Sequence, residues 1–177
     1  MSQKNLIVNG LKFSYKGVFR FDEFYDVLGR SFEERGYKRH EKRFEEFNTE
    51  NGKDLFIEFR PTKVKTVYLA QMIKVRVEMK NVRDITLDVD GVLNPFQEGE
   101  IDILFDAWVN MRYAQKWNLS PTFYFIKAVI HKYLYQFPLE GNISGEVASD
   151  AQYALQKIRA YLNLYKYRVN QAADEGY

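Results

Sequence analysis

The sequence predicts an α+β protein: an antiparallel β-meander with one N-terminal helix and two long C-terminal helices packed on one face. Three observations predict this fold. Apolar and polar residues alternate through most of residues 38–116, which is typical of half-buried strands. The connections in this region are too short for crossover helices, so neighbouring strands should run antiparallel. On either side of the region, the apolar residues recur with the period of a helix.

A short strand and a helix precede the meander. Alternation over residues 11–15 predicts the strand. From Phe21 to Phe32 the apolar residues fall at helical spacing, with acidic residues near the start, where the helix dipole favours them. We expect this helix to end near Gly36, because glycine readily adopts the backbone conformation that terminates helices.

The meander itself reads as a series of alternating segments. A hairpin is predicted from strands at 42–47 and 55–59, joined by a turn that contains Asn51-Gly52. Further strands follow at 69–79, 85–89 and 101–111. On the outer face of the sheet, we expect the basic side chains of the third strand to pair with aspartates of its neighbours; these side chains are Lys74 and Arg76.

Two long helices are predicted after the sheet. Ser120-Pro121 combines a capping serine with a proline at the first helical position, and the helix should continue to Phe137. Pro138 and Gly141 then predict its end, and Ser144 predicts the cap of a last helix that reaches Val169. We expect one domain over residues 1–170 and a flexible polar tail over 171–177.

The last helix carries two apolar flanks. The main stripe has the mean period of about 3.5 residues expected of a helix packed along another helix, and consists of Ala151, Leu155, Ile158, Leu162, Tyr165 and Val169. A second flank includes Tyr161 and Leu164. One sheet can cover only one flank, so we predict that these eight residues form an interface with a second copy or another protein.

Composition excludes several functional classes. The chain has 177 residues, a formal net charge of +2 and no cysteine, which excludes disulfides, thiolate metal sites and thiol nucleophiles. No apolar run approaches the length of a signal-peptide core or a membrane span, so we expect a cytoplasmic protein without membrane contact. Glutamates interrupt the basic stretch Lys38–Arg43, which favours a solvated strand edge over a nucleic-acid surface.

No residue set predicts catalysis. Asp88-Val89-Asp90-Gly91 resembles the first motif of haloacid-dehalogenase-type phosphatases, and the resemblance implies a nucleophilic Asp88, an acid/base Asp90 and a Mg²⁺ ion. That motif ends a parallel strand, whereas the surrounding residues predict an antiparallel meander, so we interpret it as a strand leading into a turn. The histidines, His40 and His131, are far apart in the chain and are interpreted as surface residues. We therefore assign no catalytic residue, metal or cofactor.

The order of elements resembles a known architecture. Strand, helix, meander and long final helix over residues 11–168 resemble the helix-grip fold of the START and Bet v 1-like superfamily. The resemblance implies a small apolar ligand held between sheet and helices, for which the candidate contacts are Val75, Val77, Phe105 and Trp108. Three segments are also similar to small uncharacterised archaeal proteins: Gln97–Ile101, Trp117–Pro121 and Leu162–Tyr167. This resemblance points to no particular activity and supplies no site residues.

Two functions follow from these observations. The first is a non-catalytic interaction or assembly module that self-associates through its last helix as a homo-oligomer. The alternative is a helix-grip-like carrier or enzyme that binds a small apolar ligand between sheet and helices.

Overall fold

Six strands and two helices form the part of the chain that the computed structural model describes, residues 2–66, 69–89, 92–112 and 139–174. In chain order they are β1 (Ser2–Phe19), α1 (Phe21–Glu33), β2 (Glu41–Thr49), β3 (Gly52–Phe59), β4 (Thr62–Thr66), β5 (Leu69–Val89), β6 (Val92–Arg112) and α2 (Leu139–Asp174). The first strand is longer than the predicted segment 11–15, and the strands at 69–79 and 85–89 are one continuous strand, β5.

The strands form one antiparallel sheet in the order β1-β6-β5-β3-β2, as the short connections predict. The short strand β4 continues the line of β3 and pairs with the first residues of β5. β1 therefore lies beside the last strand, at the opposite edge from β2. The connection from β1 to β2 must cross the sheet, and α1 makes this crossing.

A β-bulge interrupts the long strand β5. Asn81 and Val82 lie between the pairs that Lys80 and Arg83 make with β6, and Asn81 has a positive φ of 54°. Asparagine tolerates this conformation better than most residues, and the Asn81 N–H donates a 2.9 Å hydrogen bond to Asp54. On β3, a Cβ at Gly52 would lie 2.7 Å from the Val82 carbonyl oxygen, so glycine is required beside the bulge.

One face of the sheet, which we call the inner face, carries both helices. Alternate β5 side chains point to it and are fully buried, namely Gln71, Ile73, Val75 and Val77. α1 contributes Phe24, Leu28 and Phe32 to the same core, and α2 contributes Val147, Ala151, Ile158 and Leu162. The helical period of the apolar residues in α1 and α2 thus matches the surface that each helix buries.

Tyrosines of α2 join the two helices. The Tyr161 hydroxyl donates a 2.9 Å hydrogen bond to the carbonyl of Arg20, the residue before α1. The Tyr165 hydroxyl donates to Glu23 in the first turn of α1, and the Tyr153 hydroxyl donates to Glu34 at its end. The tyrosine-rich flank of α2 therefore lies along α1, within one chain.

The described residues contain one C-terminal helix, α2, where the sequence predicts two, and the boundaries of α2 also differ from the prediction. α2 begins at Leu139 instead of Ser144 and continues to Asp174, beyond the predicted end at Val169. Gly141 therefore does not end a helix, since it lies within the first turns of α2. The predicted helix over 120–137 lies outside the described residues, as do Trp117 and His131.

The outward face of α2 is mostly polar over the described side chains, with Ala160 and Leu164 as its exposed apolar residues. Its exposed residues include Gln152, Gln156, Arg159 and Asn163. Within the described part of the chain, neither helix combines the length and the apolar composition that a membrane crossing requires.

Candidate functional site

A group of polar side chains is enclosed where the start of α2 meets the sheet. We call it the polar cluster, and it consists of Tyr37, Lys63, Gln71, Glu146 and Asp150. Arg35 and Lys65 lie at its rim. Burial of polar groups in a core is costly unless their hydrogen bonds are made, so such a cluster needs an explanation.

Four elements bring the polar cluster together. Tyr37 follows the end of α1, where Gly36 has a positive φ of 80° and the Tyr37 N–H bonds to the Phe32 carbonyl at 3.0 Å. Lys63 comes from β4, and Gln71 comes from the inner face of β5. Glu146 and Asp150 lie four residues apart on α2, so they share one helix face.

Glu146 is the most highly bonded member. It accepts hydrogen bonds from Lys63 at 2.8 Å and Gln71 at 3.2 Å, and it pairs with Lys65 at 2.7 Å. Burial acts to raise the pKa of Glu146, but these donors outweigh burial and lower the pKa to about 2. Glu146 is therefore ionised at neutral pH and ties α2 to β4 and β5.

Asp150 is the least satisfied member. Its side chain is 3% exposed, and its nearest cations are Arg35 and Lys63, each 3.7 Å away. Both distances exceed those of a hydrogen bond, and although the Tyr37 hydroxyl interacts with this carboxylate, no described group makes a hydrogen bond of normal geometry to Asp150 Oδ2. A buried carboxylate oxygen without a donor retains its full desolvation cost, so this atom is a potential acceptor for a bound molecule.

Tyr37 lies at the inner end of the polar cluster. Its hydroxyl donates a weak 3.4 Å hydrogen bond to Gln71, and the Lys63 ammonium lies 5.3 Å from the centre of its ring. Burial raises the pKa of Tyr37 far above its ordinary value, and the charge of Asp150, a hydrogen-bonding interaction of the hydroxyl with the Asp150 carboxylate and the charge of Glu146 add to this shift. The phenol thus stays protonated and acts as a donor.

The polar cluster contains carboxylates, lysine, glutamine and tyrosine as its polar groups. No group of three or more possible metal ligands occurs among the described residues. The titratable groups of the polar cluster include no histidine or thiol that could exchange a proton near neutral pH. What the cluster offers is a buried acceptor, Asp150 Oδ2, beside a cationic donor, Lys63.

The structure corrects the prediction that the apolar flanks of the last helix form an interface with a second copy or another protein. Five of the main stripe are buried against the chain's own core, namely Ala151, Leu155, Ile158, Leu162 and Tyr165. Tyr161 is buried against α1, and the side chain of Val169 lies outside the described part. Only Leu164, which is 62% exposed, is available at the surface. Self-association stays a prediction, but the buried residues cannot supply its interface because sheet and α1 already cover them.

The predicted ligand contacts divide between the two faces of the sheet. Val75, Val77 and Phe105 are fully buried on the inner face. Trp108 pairs with Met72 and lies three residues from Phe105, so its side chain is on the opposite face. Trp108 therefore cannot line a space between sheet and helices with the other three, and its assignment is corrected.

The remaining sequence motifs, where the structure describes them, lie at the surface or in a hairpin. Val89 pairs with Val92, so the segment containing Asp88 belongs to an antiparallel hairpin and not to the parallel strand of a phosphatase. Asp90 and Gly91 lie outside the described residues. His40 is exposed beside the edge strand, and Arg43 pairs with Glu45 at 2.6 Å.

Sequence reasoning missed the polar cluster, although one signal was present. Gln71 occupies a position in β5 that alternates with apolar residues and predicts burial. A polar residue on a core-facing position requires buried partners. The partners come from β4 and α2, and nothing in their own segments distinguishes them from ordinary surface charges.

Comparisons with known proteins add no family assignment. No family model matches the chain, and no curated protein gives a significant match.

Proposed function

We propose that this protein is a non-catalytic binding protein that holds a small hydroxyl-bearing molecule at the polar cluster. The observation that supports this proposal is Asp150 Oδ2, an acceptor on a side chain that is 3% exposed and receives no hydrogen bond from a described group. Leaving such an atom without a donor costs about 1–3 kcal/mol. A ligand hydroxyl supplies the missing donor.

The position of Lys63 favours a hydroxyl over other donors. Its Nζ lies 3.7 Å from Asp150 Oδ2, too far for a direct hydrogen bond but near enough for one oxygen atom to contact both. A hydroxyl can donate to the carboxylate and accept from the ammonium. The cations of the cluster and its rim also outnumber the carboxylates, which disfavours a cationic ligand.

The proposal keeps part of the helix-grip resemblance. The polar cluster lies between the sheet and α2, where that resemblance implies a ligand. An apolar part of the ligand could contact Val75, Val77 and Phe105, and the predicted helix over 120–137 would complete the cover of the sheet. Both remain predictions.

An NMR titration tests the proposal. We expect glycerol and 1,2-propanediol to shift the amide signals of residues 35–37, 63–71 and 146–150 in the full chain. Asp150→Asn, which replaces the acceptor with a donor, should weaken this binding about tenfold or more. Asp102→Asn is a matched control, because Asp102 is exposed and accepts from Ser14 on the outer face.

Two results would contradict the proposal. Equal binding by wild type and Asp150→Asn would show that Asp150 Oδ2 is not the acceptor. The absence of shifts with both probes would indicate that only water occupies the polar cluster.

A further inference from the structure

A second concave site lies on the inner face beside the edge strand β2, next to the first two turns of α1. It is an open groove between α1 and β2 with a volume of about 320 Å³, which we call the α1–β2 groove. Its lining consists of Phe21, Asp22, Tyr25, Asp26 and Phe44. Three aromatic rings and two carboxylates thus meet in one concave surface, away from the polar cluster.

The backbone fixes the positions of the rings. Phe21 and Tyr25 are four residues apart on α1, and their ring centres are 6.0 Å apart. Phe44 pairs with the buried Ile57, so it points to the inner face, and its ring meets Phe21 edge to face at 6.3 Å. Phe44 is nevertheless 46% exposed, so this aromatic wall faces an open space.

Both carboxylates are available to a ligand. Asp22 makes no ion pair with any of the residues that the structure describes. Asp26 lies 3.6 Å from Arg30, but both side chains are more than half exposed, and such pairs contribute little. The groove therefore presents negative charge beside aromatic rings.

A cation already stacks on one of these rings. The Arg39 guanidinium stacks 4.1 Å from the centre of the Tyr25 ring and occupies one of its faces. The rings of Phe21 and Phe44 carry the same negative π faces, and no described cation stacks on either of them. The two carboxylates offset the repulsion that Arg39 would exert on a second cation.

We propose that the α1–β2 groove binds the methylated ammonium group of a small molecule. Such a group is a cation with an apolar surface. It is therefore attracted both to aromatic faces and to nearby carboxylates, and its desolvation on binding costs little free energy. A primary ammonium is strongly hydrated and would favour the carboxylates alone. The volume of about 320 Å³ suits a small head group.

Calorimetry and NMR with choline as the probe test this assignment on the full chain. We expect choline to bind and to shift the amide signals of residues 21–26 and 43–45. Its neutral isostere 3,3-dimethyl-1-butanol should bind about fivefold more weakly, because it has the same shape but no charge. Equal binding of the two compounds, or no binding of choline, would overturn the proposal.

Two variants on β2 distinguish choline binding in the α1–β2 groove from binding to an exposed aromatic residue elsewhere. Phe44→Ala should weaken choline binding about fivefold, since it removes one aromatic wall. Phe47→Ala is the matched control: Phe47 is 55% exposed on the same strand, but it pairs with Asp54 and points to the outer face. An equal loss in both variants would contradict the assignment.

Two further measurements complete the test. Asp22→Asn alters an exposed side chain, so the fold should persist while choline binding weakens about twofold to fivefold. Unchanged binding in this variant would contradict the role of the carboxylate. A peptide with trimethyl-lysine that binds at least about tenfold more tightly than choline would replace the small-molecule assignment with a protein partner.

Discussion

Single residues of the polar cluster differ in how fully their bonds are satisfied. Glu146 accepts from two lysines and a glutamine, whereas Asp150 has two cations at 3.7 Å and an oxygen without a donor. The arrangement around Glu146 stabilises the fold, because its carboxylate oxygens have three donors as partners. The arrangement around Asp150 leaves a buried acceptor whose nearest cations lie beyond hydrogen-bond distance.

The pH dependence of stability should report on Glu146. Its pKa is lowered from 4.5 to about 2 in the folded protein, so its contribution is complete above about pH 4.5 and is lost as the pH falls toward 2. Glu146→Gln should cost on the order of 1 kcal/mol at pH 7, since the site is partly open to water. Urea unfolding at pH 7, 4 and 2.5 should show the difference from wild type shrinking with the pH. A difference that stays constant would contradict this role.

Among the elements, α2 connects α1 to several strands of the sheet. Its buried stripe covers the sheet, its tyrosines bond to α1, and its first turns carry the carboxylates of the polar cluster. The described residues of the stripe, and Tyr161 of the second flank, are thus covered within one chain, whereas Leu164 of that flank is exposed. A helix between a sheet and another helix needs two apolar flanks, and the sequence pattern alone cannot tell this from an interface between copies.

A pair of substitutions on α2 tests the position of the stripe. Ile158 is fully buried, so Ile158→Asp should lower the free energy of unfolding by more than about 4 kcal/mol by placing an unpaired charge in the core. Leu164 is 62% exposed on the same helix, and Leu164→Asp should change stability by less than about 0.5 kcal/mol. Chemical unfolding measures both. Similar stabilities of the two variants would show that the buried face has been misplaced.

Across the whole molecule, the strands differ in how much of their length pairs with neighbouring strands. β5 and β6 each have 21 residues, but β3 pairs with β5 only to Val82, and β1 pairs with β6 only from Gln97. Residues 84–89 and 92–96 therefore form a two-stranded arm beyond the rest of the described sheet. Val92 and Leu93 near its tip are 59% and 71% exposed.

Hydrogen exchange should reveal this difference. The amides of residues 73–77 and 101–107 lie in strands with a partner on each side, so we expect them to exchange slowest. The arm should exchange faster because a hairpin without further strands is marginally stable. Mass spectrometry of deuterated peptides can measure both regions. Equal protection would indicate that another part of the molecule covers the arm.

The sequence by itself determined the coarse fold class, helices with an antiparallel sheet, because alternation and helical spacing are local properties of the chain. The two long C-terminal helices that it also predicts are not matched, since the described residues contain one. The strand at 69–79, the helix from Phe21 and the outward pairing of Arg76 with an aspartate, Asp106 at 2.8 Å, are all confirmed. Lys74, by contrast, pairs with Glu58. The charge pattern could predict that a partner exists, but the register of the sheet decides which residue it is.

Only the tertiary structure decided where the polar and aromatic sites lie. Gln71 and Glu146 are far apart in the chain, and so are Phe21 and Phe44, yet each pair meets in the folded protein. Such meetings depend on strand register and on the direction in which α1 and α2 cross the sheet. Local sequence patterns encode which surfaces are apolar, whereas contacts between distant segments emerge only when those surfaces are packed together.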